Sequence, residues 1–138
     1  MPISRAELQF LAQSKADDAA LLFAHARYAN AYYLAGYAIE IALKACIANQ
    51  FQQHVMPDKD MLRDLFVHDL NKLVTLAGLR GALSDKRRLD EFDANWTILE
   101  AWRPESRYEI VQEAQSRAMI EAVTNEENGV LTWIKANW

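Results

Sequence analysis

The stretch YYLAGYAIEIALKACIA, residues 32–48, decides the fold. At 100° per residue its apolar side chains surround the axis on every side. A helix that is apolar all round is buried by neighbours on several faces. The reading is therefore a central helix over about Asn30 to Asn49, with other helices packed around it. The stretch is also long enough to consider as a membrane span. Glu40 and Lys44 near its middle argue against that, because each is costly in hydrocarbon. Gly36, between Ala35 and Ala38, marks a place where another backbone comes close.

Glu40 and Lys44 stand at i and i+4 with the acid on the N-terminal side, the favourable order for an ion pair. Tyr33, Tyr37 and Ile47 share their stripe. Two readings follow. The first is a structural pair inside the bundle, since buried charges persist mainly when paired. The second is the polar edge of a ligand groove, with the tyrosines as stacking surfaces.

Working outward, the rest of the chain also reads as helix. Only 4 Gly and 3 Pro occur in 138 residues, too few breaks for a sandwich or barrel. Ser4 followed by Glu7 is a capping-box pattern that opens a first helix, with Leu8, Leu11, Lys15, Ala19 and Leu22 on its inner side. Residues 50–67 form a connector broken at Pro57-Asp58, with a short helical turn at Met61, Leu62, Leu65 and Phe66. A third helix spans Asp69 to Ala77 and ends at Gly78. A fourth begins near Leu83 or Ser84, lines up Leu89, Phe92, Trp96 and Leu99, and stops before Pro104. After the loop at 103–108, Met119, Val123, Val130, Trp133 and Ile134 stay in phase across Gly129. That predicts one last helix from about Ile110 to Ala136. The expected fold class is all-α: one domain over residues 1–138, an antiparallel up-and-down bundle of four to five helices.

The formal net charge is −4, so no global basic field attracts nucleic acid. The Lys86-Arg87-Arg88 run, flanked by Asp85, Asp90 and Glu91, reads as a solvated face. One cysteine, Cys46, allows no internal disulfide and fits a reducing compartment. The N-terminus lacks the apolar segment of a signal peptide, so the expectation is a cytoplasmic protein with no membrane association. His25 and His54 have no partner at metal-ligand spacing, and no Gly-rich phosphate loop occurs. No metal and no cofactor is expected.

The run YLAGYAIEIALKACI, then HDLNKLVTLAGL, then a tryptophan-containing helix, then RPESRY, resembles the prokaryotic HEPN-domain family (higher eukaryotes and prokaryotes nucleotide-binding domain). The resemblance covers roughly residues 5–135. It implies a helical bundle that commonly forms homodimers and works in toxin–antitoxin, defence or stress systems. Members of that family bind nucleotide or RNA, or partner with a minimal nucleotidyltransferase that acts as antitoxin. Others are metal-independent RNases that use an arginine, a following polar residue and a histidine. Here Arg63, Asp64 and His68 match that pattern in form. An imidazole moves a proton to or from a ribose 2′-OH or a leaving 5′-oxygen near neutral pH, and a guanidinium holds the phosphate. On one continuous helix residues 63 and 68 would point about 140° apart, so they converge only across a turn or a dimer interface. The expectation is a HEPN-like binding module, with the RNase as the alternative.

His68 has a second reading, as a cap or packing residue at the start of the helix that follows it. Arg107 and Tyr108 also carry two readings. Arg107 clamps its loop onto the bundle through a carboxylate such as Glu40 or Asp69. Otherwise Arg103 and Arg107 present guanidiniums to phosphate while Tyr108 stacks on a base.

Overall fold

The computed structural model describes residues 3–51, 56, 59–66 and 68–138, with the Met61 side chain excepted. Among the described residues there are eight α-helices, one 3-10 turn and no strand. The protein is an all-α helical bundle. The Pro57-Asp58 break and His54 lie outside the described residues.

Helix α1 covers Arg5–Ala24. Its capping box is complete: the Glu7 N–H donates to Ser4 Oγ at 3.1 Å, and the Ser4 N–H donates to Glu7 Oε2 at 2.7 Å. Its fully buried line is Ala12, Ala16 and Ala19. The larger Leu8 and Leu11 pack only at the edge of the core. Small side chains let α1 lie close against α2, Tyr28–Ala48, which offers Ala31, Ala35, Ala38 and Ala42. The two helices are joined by residues 25–27, where Ala26 takes φ 60°.

Helix α2 is the centre of the molecule. It touches α1, the helical segments Leu70–Leu76, Glu113–Thr124 and Val130–Lys135, and the 3-10 turn at Pro104–Tyr108. By length and composition alone it could cross a membrane, but 72 % of its most apolar window is buried inside the fold. The apolar surface is consumed by neighbouring helices.

The connector holds one short helix, α3, Lys59–Leu65. Leu65 packs against the core, while Leu62 and Phe66 are exposed. Helix α4, Leu70–Leu76, is capped by Asp69, whose carboxylate accepts from the N–H groups of Asn71 at 3.0 Å and Lys72 at 3.3 Å. The expected fourth helix is two: α5, Arg80–Lys86, and α6, Asp90–Glu100. Leu89 stands at the junction and is 52 % exposed, outside the inner stripe of Phe92, Trp96 and Leu99.

The expected last helix is also two, α7, Glu113–Thr124, and α8, Val130–Lys135. The break is Asx chemistry. Asn125 leaves the helical region at ψ 133°, and its side-chain oxygen accepts from the N–H groups of Glu127 at 3.0 Å and Asn128 at 2.8 Å. Such a side chain offers the backbone an alternative to the helix ladder. A Cβ at Gly129 would collide with the Asn125 backbone, so the turn needs glycine there. Met119, Val123, Val130 and Ile134 are nonetheless all fully buried. The apolar phase survives the break.

Gly36 does meet a close neighbour, but it is a side chain. A Cβ at residue 36 would overlap the Trp102 indole. That ring is 3 % exposed, and its Nε1–H donates to the Tyr33 carbonyl at 3.1 Å. The missing side chain on α2 thus seats the residue that immediately precedes the 103–108 segment.

Candidate functional site

The stripe Tyr33, Tyr37, Glu40, Lys44 lies at i, i+4, i+7 and i+11 of α2, one face of the helix. Near its middle, Glu40 is 1 % exposed. Its two oxygens are divided between two partners. Lys44 Nζ donates to Oε2 at 3.3 Å, and His68 Nδ1 lies 2.6 Å from Oε1. A carboxylate only accepts, so the His68 Nδ1–H is the donor, and in the neutral imidazole Nε2 carries the lone pair. Both partners reach solvent: the side chains of Lys44 and His68 are 27 % and 51 % exposed. A buried acid therefore holds two surface cation-capable groups from below. The cost of burying a carboxylate is offset by two charge-assisted bonds.

His68 lines an open pocket of about 510 Å³ with Asp69, Glu100, Trp102, Arg103 and Glu105. The residue just before α4 and the turn after α6 bring these side chains together. Asp69 is spent on capping α4, and Glu100 accepts from Arg87 Nη1 at 2.9 Å. The pocket wall is therefore richer in carboxylates than in cations. The cap of α4 is Asp69 alone; His68 precedes it and turns toward Glu40.

Next to this site, Tyr33 stacks on Tyr37 with ring centroids 5.9 Å apart and packs against Trp102 at the same distance with the planes tilted by 31°. Burial, the nearby Glu40 charge and Tyr33 push the Tyr37 phenol up. Arg107 does not reach Glu40 or Asp69 among the described residues. It lies over the Tyr108 ring, 4.8 Å from its centroid. Hydrogen bonding to the Tyr108 and Tyr33 hydroxyls raises its pKa further. Tyr108 is 78 % exposed, so this arginine and its tyrosine lie on the outer surface, with Tyr33 and no carboxylate as the contact to α2.

Arg63 and Asp64 stay with their own helix. Arg63 Nη2 is 3.4 Å from Asp60 Oδ1, and its Nε is 3.7 Å from Asp64 Oδ1. Because α3 ends at Leu65, Arg63 and His68 are not on one continuous helix. The recorded partner of His68 is Glu40, and the guanidinium that shares its pocket is Arg103. Sequence reasoning paired His68 with a neighbour in the chain and missed a contact 28 residues away. The available signal was Glu40 itself, a carboxylate on an all-apolar helix that needed more than one partner.

Arg87 also differs from its expected place on a solvated face. It donates to Asp93 at 2.5 Å as well as to Glu100, and Asp93 first among its neighbours raises its pKa. Among the described residues no cluster of His, Cys, Asp and Glu has the form of a metal site. Comparisons with protein-family models, curated proteins and solved structures give no match to this chain.

Proposed function

We propose that this protein is a HEPN-like module of a prokaryotic toxin–antitoxin, defence or stress system, and that it binds nucleotide or RNA in the His68 pocket. The observation that carries this reading is the buried Glu40 carboxylate shared between Lys44 and the half-exposed His68. A buried acid is a poor source of stability by itself. Its use to orient an imidazole at the mouth of a pocket is characteristic of binding and proton-transfer sites. The remaining wall suits a nucleoside. Carboxylates accept from ribose hydroxyls and base amino groups, and Pro104 supplies an apolar side. A homodimer, or a nucleotidyltransferase-type partner acting as antitoxin, belongs to the same reading through the family resemblance.

Calorimetric titration with nucleotides and short single-stranded RNA tests it. His68→Ala is expected to weaken binding by about 5- to 20-fold, the loss of one charge-assisted hydrogen bond. Failure of the wild-type protein to bind any of these ligands would sink the reading.

The Glu40–His68 bond also favours a second reading, a metal-independent RNase. With Nδ1 held, Nε2 takes the proton of a ribose 2′-OH as that oxygen bonds to phosphorus. The bond from phosphorus to the 5′-oxygen then breaks, and the proton taken up by Nε2 passes, directly or through water, to the leaving oxygen, which regenerates the neutral imidazole and leaves a 2′,3′-cyclic phosphate. Arg103 replaces Arg63 as the guanidinium placed to hold the phosphate. Cleavage of single-stranded RNA in EDTA, lost in His68→Ala, is the expected result. Equal cleavage by both proteins would remove His68 from the chemistry.

A further inference from the structure

We infer that the phosphate of the bound nucleotide or RNA unit lies outside the His68 pocket, in an adjoining cationic pocket between α4 and α5, held by Lys72 and Arg80. This rests on the nucleotide-binding reading above and assigns the orientation of the ligand within it.

The second pocket has a volume of about 440 Å³ and is lined by Lys72, Arg80 and Arg87 together with Asn71, Thr75 and Ser84. Among the described residues its wall contains three cations and no carboxylate. Lys72 and Arg80 are both exposed, and neither has a described carboxylate within ion-pair distance. Arg87 differs, since Asp93 and Glu100 hold it at 2.5 and 2.9 Å and offset its charge. It serves as a fixed wall, while Lys72 and Arg80 supply the attraction.

The two pockets adjoin. Asn71 lines both, and Glu100 of the first bonds Arg87 of the second. The combined groove therefore changes sign along its length. At one end Asp69 and Glu105 outnumber Arg103, with Glu100 tied to Arg87, and Lys72 and Arg80 stand at the other. A nucleotide has the matching asymmetry. Its phosphate is anionic, whereas its ribose and base are neutral and carry hydroxyl or amino donors. Placing phosphate among the carboxylates would set like charges together in a chain of net charge −4, where no global field compensates. Reversing the ligand satisfies both ends.

The test uses adenosine, adenosine 5′-monophosphate and a five-residue oligoadenylate. They are titrated calorimetrically into wild type, Lys72→Ala/Arg80→Ala and Lys72→Gln/Arg80→Gln, with circular dichroism as the check on folding. In wild type the phosphate is expected to raise affinity by about 10-fold over adenosine. In both double variants that gain disappears while adenosine binding is unchanged. For the oligonucleotide, the slope of log affinity on log salt falls by about 0.7 for each phosphate contact removed. An increment seen with the oligonucleotide and not with the mononucleotide identifies RNA as the ligand, and its loss in the variants supports the same pocket. A phosphate increment retained by the double variants, or absent with both the mononucleotide and the oligonucleotide in wild type that still binds adenosine, overturns the inference and leaves the His68 pocket standing. Wild type that binds none of the three overturns both.

Discussion

Glu40 is the residue whose environment asks most of the fold. It is buried, charged and shared. Lys44→Ala removes one of two partners and leaves the carboxylate under the core with His68 alone, at an expected cost of roughly 2–4 kcal/mol. Glu40→Gln removes the charge and keeps an oxygen that accepts, so its expected cost is smaller, about 1–2 kcal/mol. Urea denaturation of the two variants checks the order; a larger loss for the glutamine variant would contradict the shared-acid account. Gly36→Ala drives a methyl into the Trp102 indole and is expected to cost about 1–3 kcal/mol through overpacking. The displaced ring would report itself as a shift in tryptophan emission. At the surface, Glu7 has its pKa lowered from the ordinary 4.5, first by the Ser4 backbone N–H and then by the Ser4 side chain. A depressed acid contributes above its unfolded pKa and loses that contribution as the pH falls through its folded value. The first turn of α1 should therefore lose amide-exchange protection, measured relative to the intrinsic rate at each pH, as the pH falls, and Glu7→Gln should abolish the dependence.

At the scale of elements, the long periodic segments were legible and their interruptions were not. The start of α1, the core position of α2 and the end of α4 at Gly78, where φ is 74°, could be read because capping residues and apolar spacing are local; the cap of α4, expected at His68, is Asp69. The split of α7 from α8 escaped because Val123 and Val130 remain in register across it, and periodicity registers phase and not continuity. Asn125 and Gly129 held the missing signal in their turn chemistry. The two alternatives differ in sign. In an unbroken helix Gly129→Ala would stabilise the protein by about 1 kcal/mol. In this fold it forces a collision with Asn125 and is expected to destabilise by about 1–3 kcal/mol, measurable as a lowered unfolding midpoint. The candidate site was legible residue by residue, through Glu40, His68 and Arg103. Its assembly was not, since no local pattern announces that residue 68 returns to residue 40. The cationic pocket was hidden for the same reason: Lys72, Arg80 and Arg87 come from two short helices whose separation the apolar pattern did not reveal.

For the molecule as a whole, α2 is the element to which the early and late parts of the chain both attach. Cys46 sits on it, 2 % exposed, with burial pushing its thiol up to about 11. The thiolate is the reactive form, so a disulfide reagent at pH 8 should leave native protein unmodified and label it only as it unfolds. The labelling rate then follows global opening. The same central position has a consequence during synthesis. More than sixty residues separate the end of α2 from the start of α7. At about 5–20 residues per second, a ribosome would display α2 for roughly 3–13 s before its late covers exist. In that interval an apolar 21-residue helix is a client for chaperones and resembles an insertion signal. The Glu40–Lys44 pair, at about 2.5–3.5 kcal/mol of insertion penalty per charge, opposes insertion of the nascent segment into a bilayer until the rest of the chain arrives.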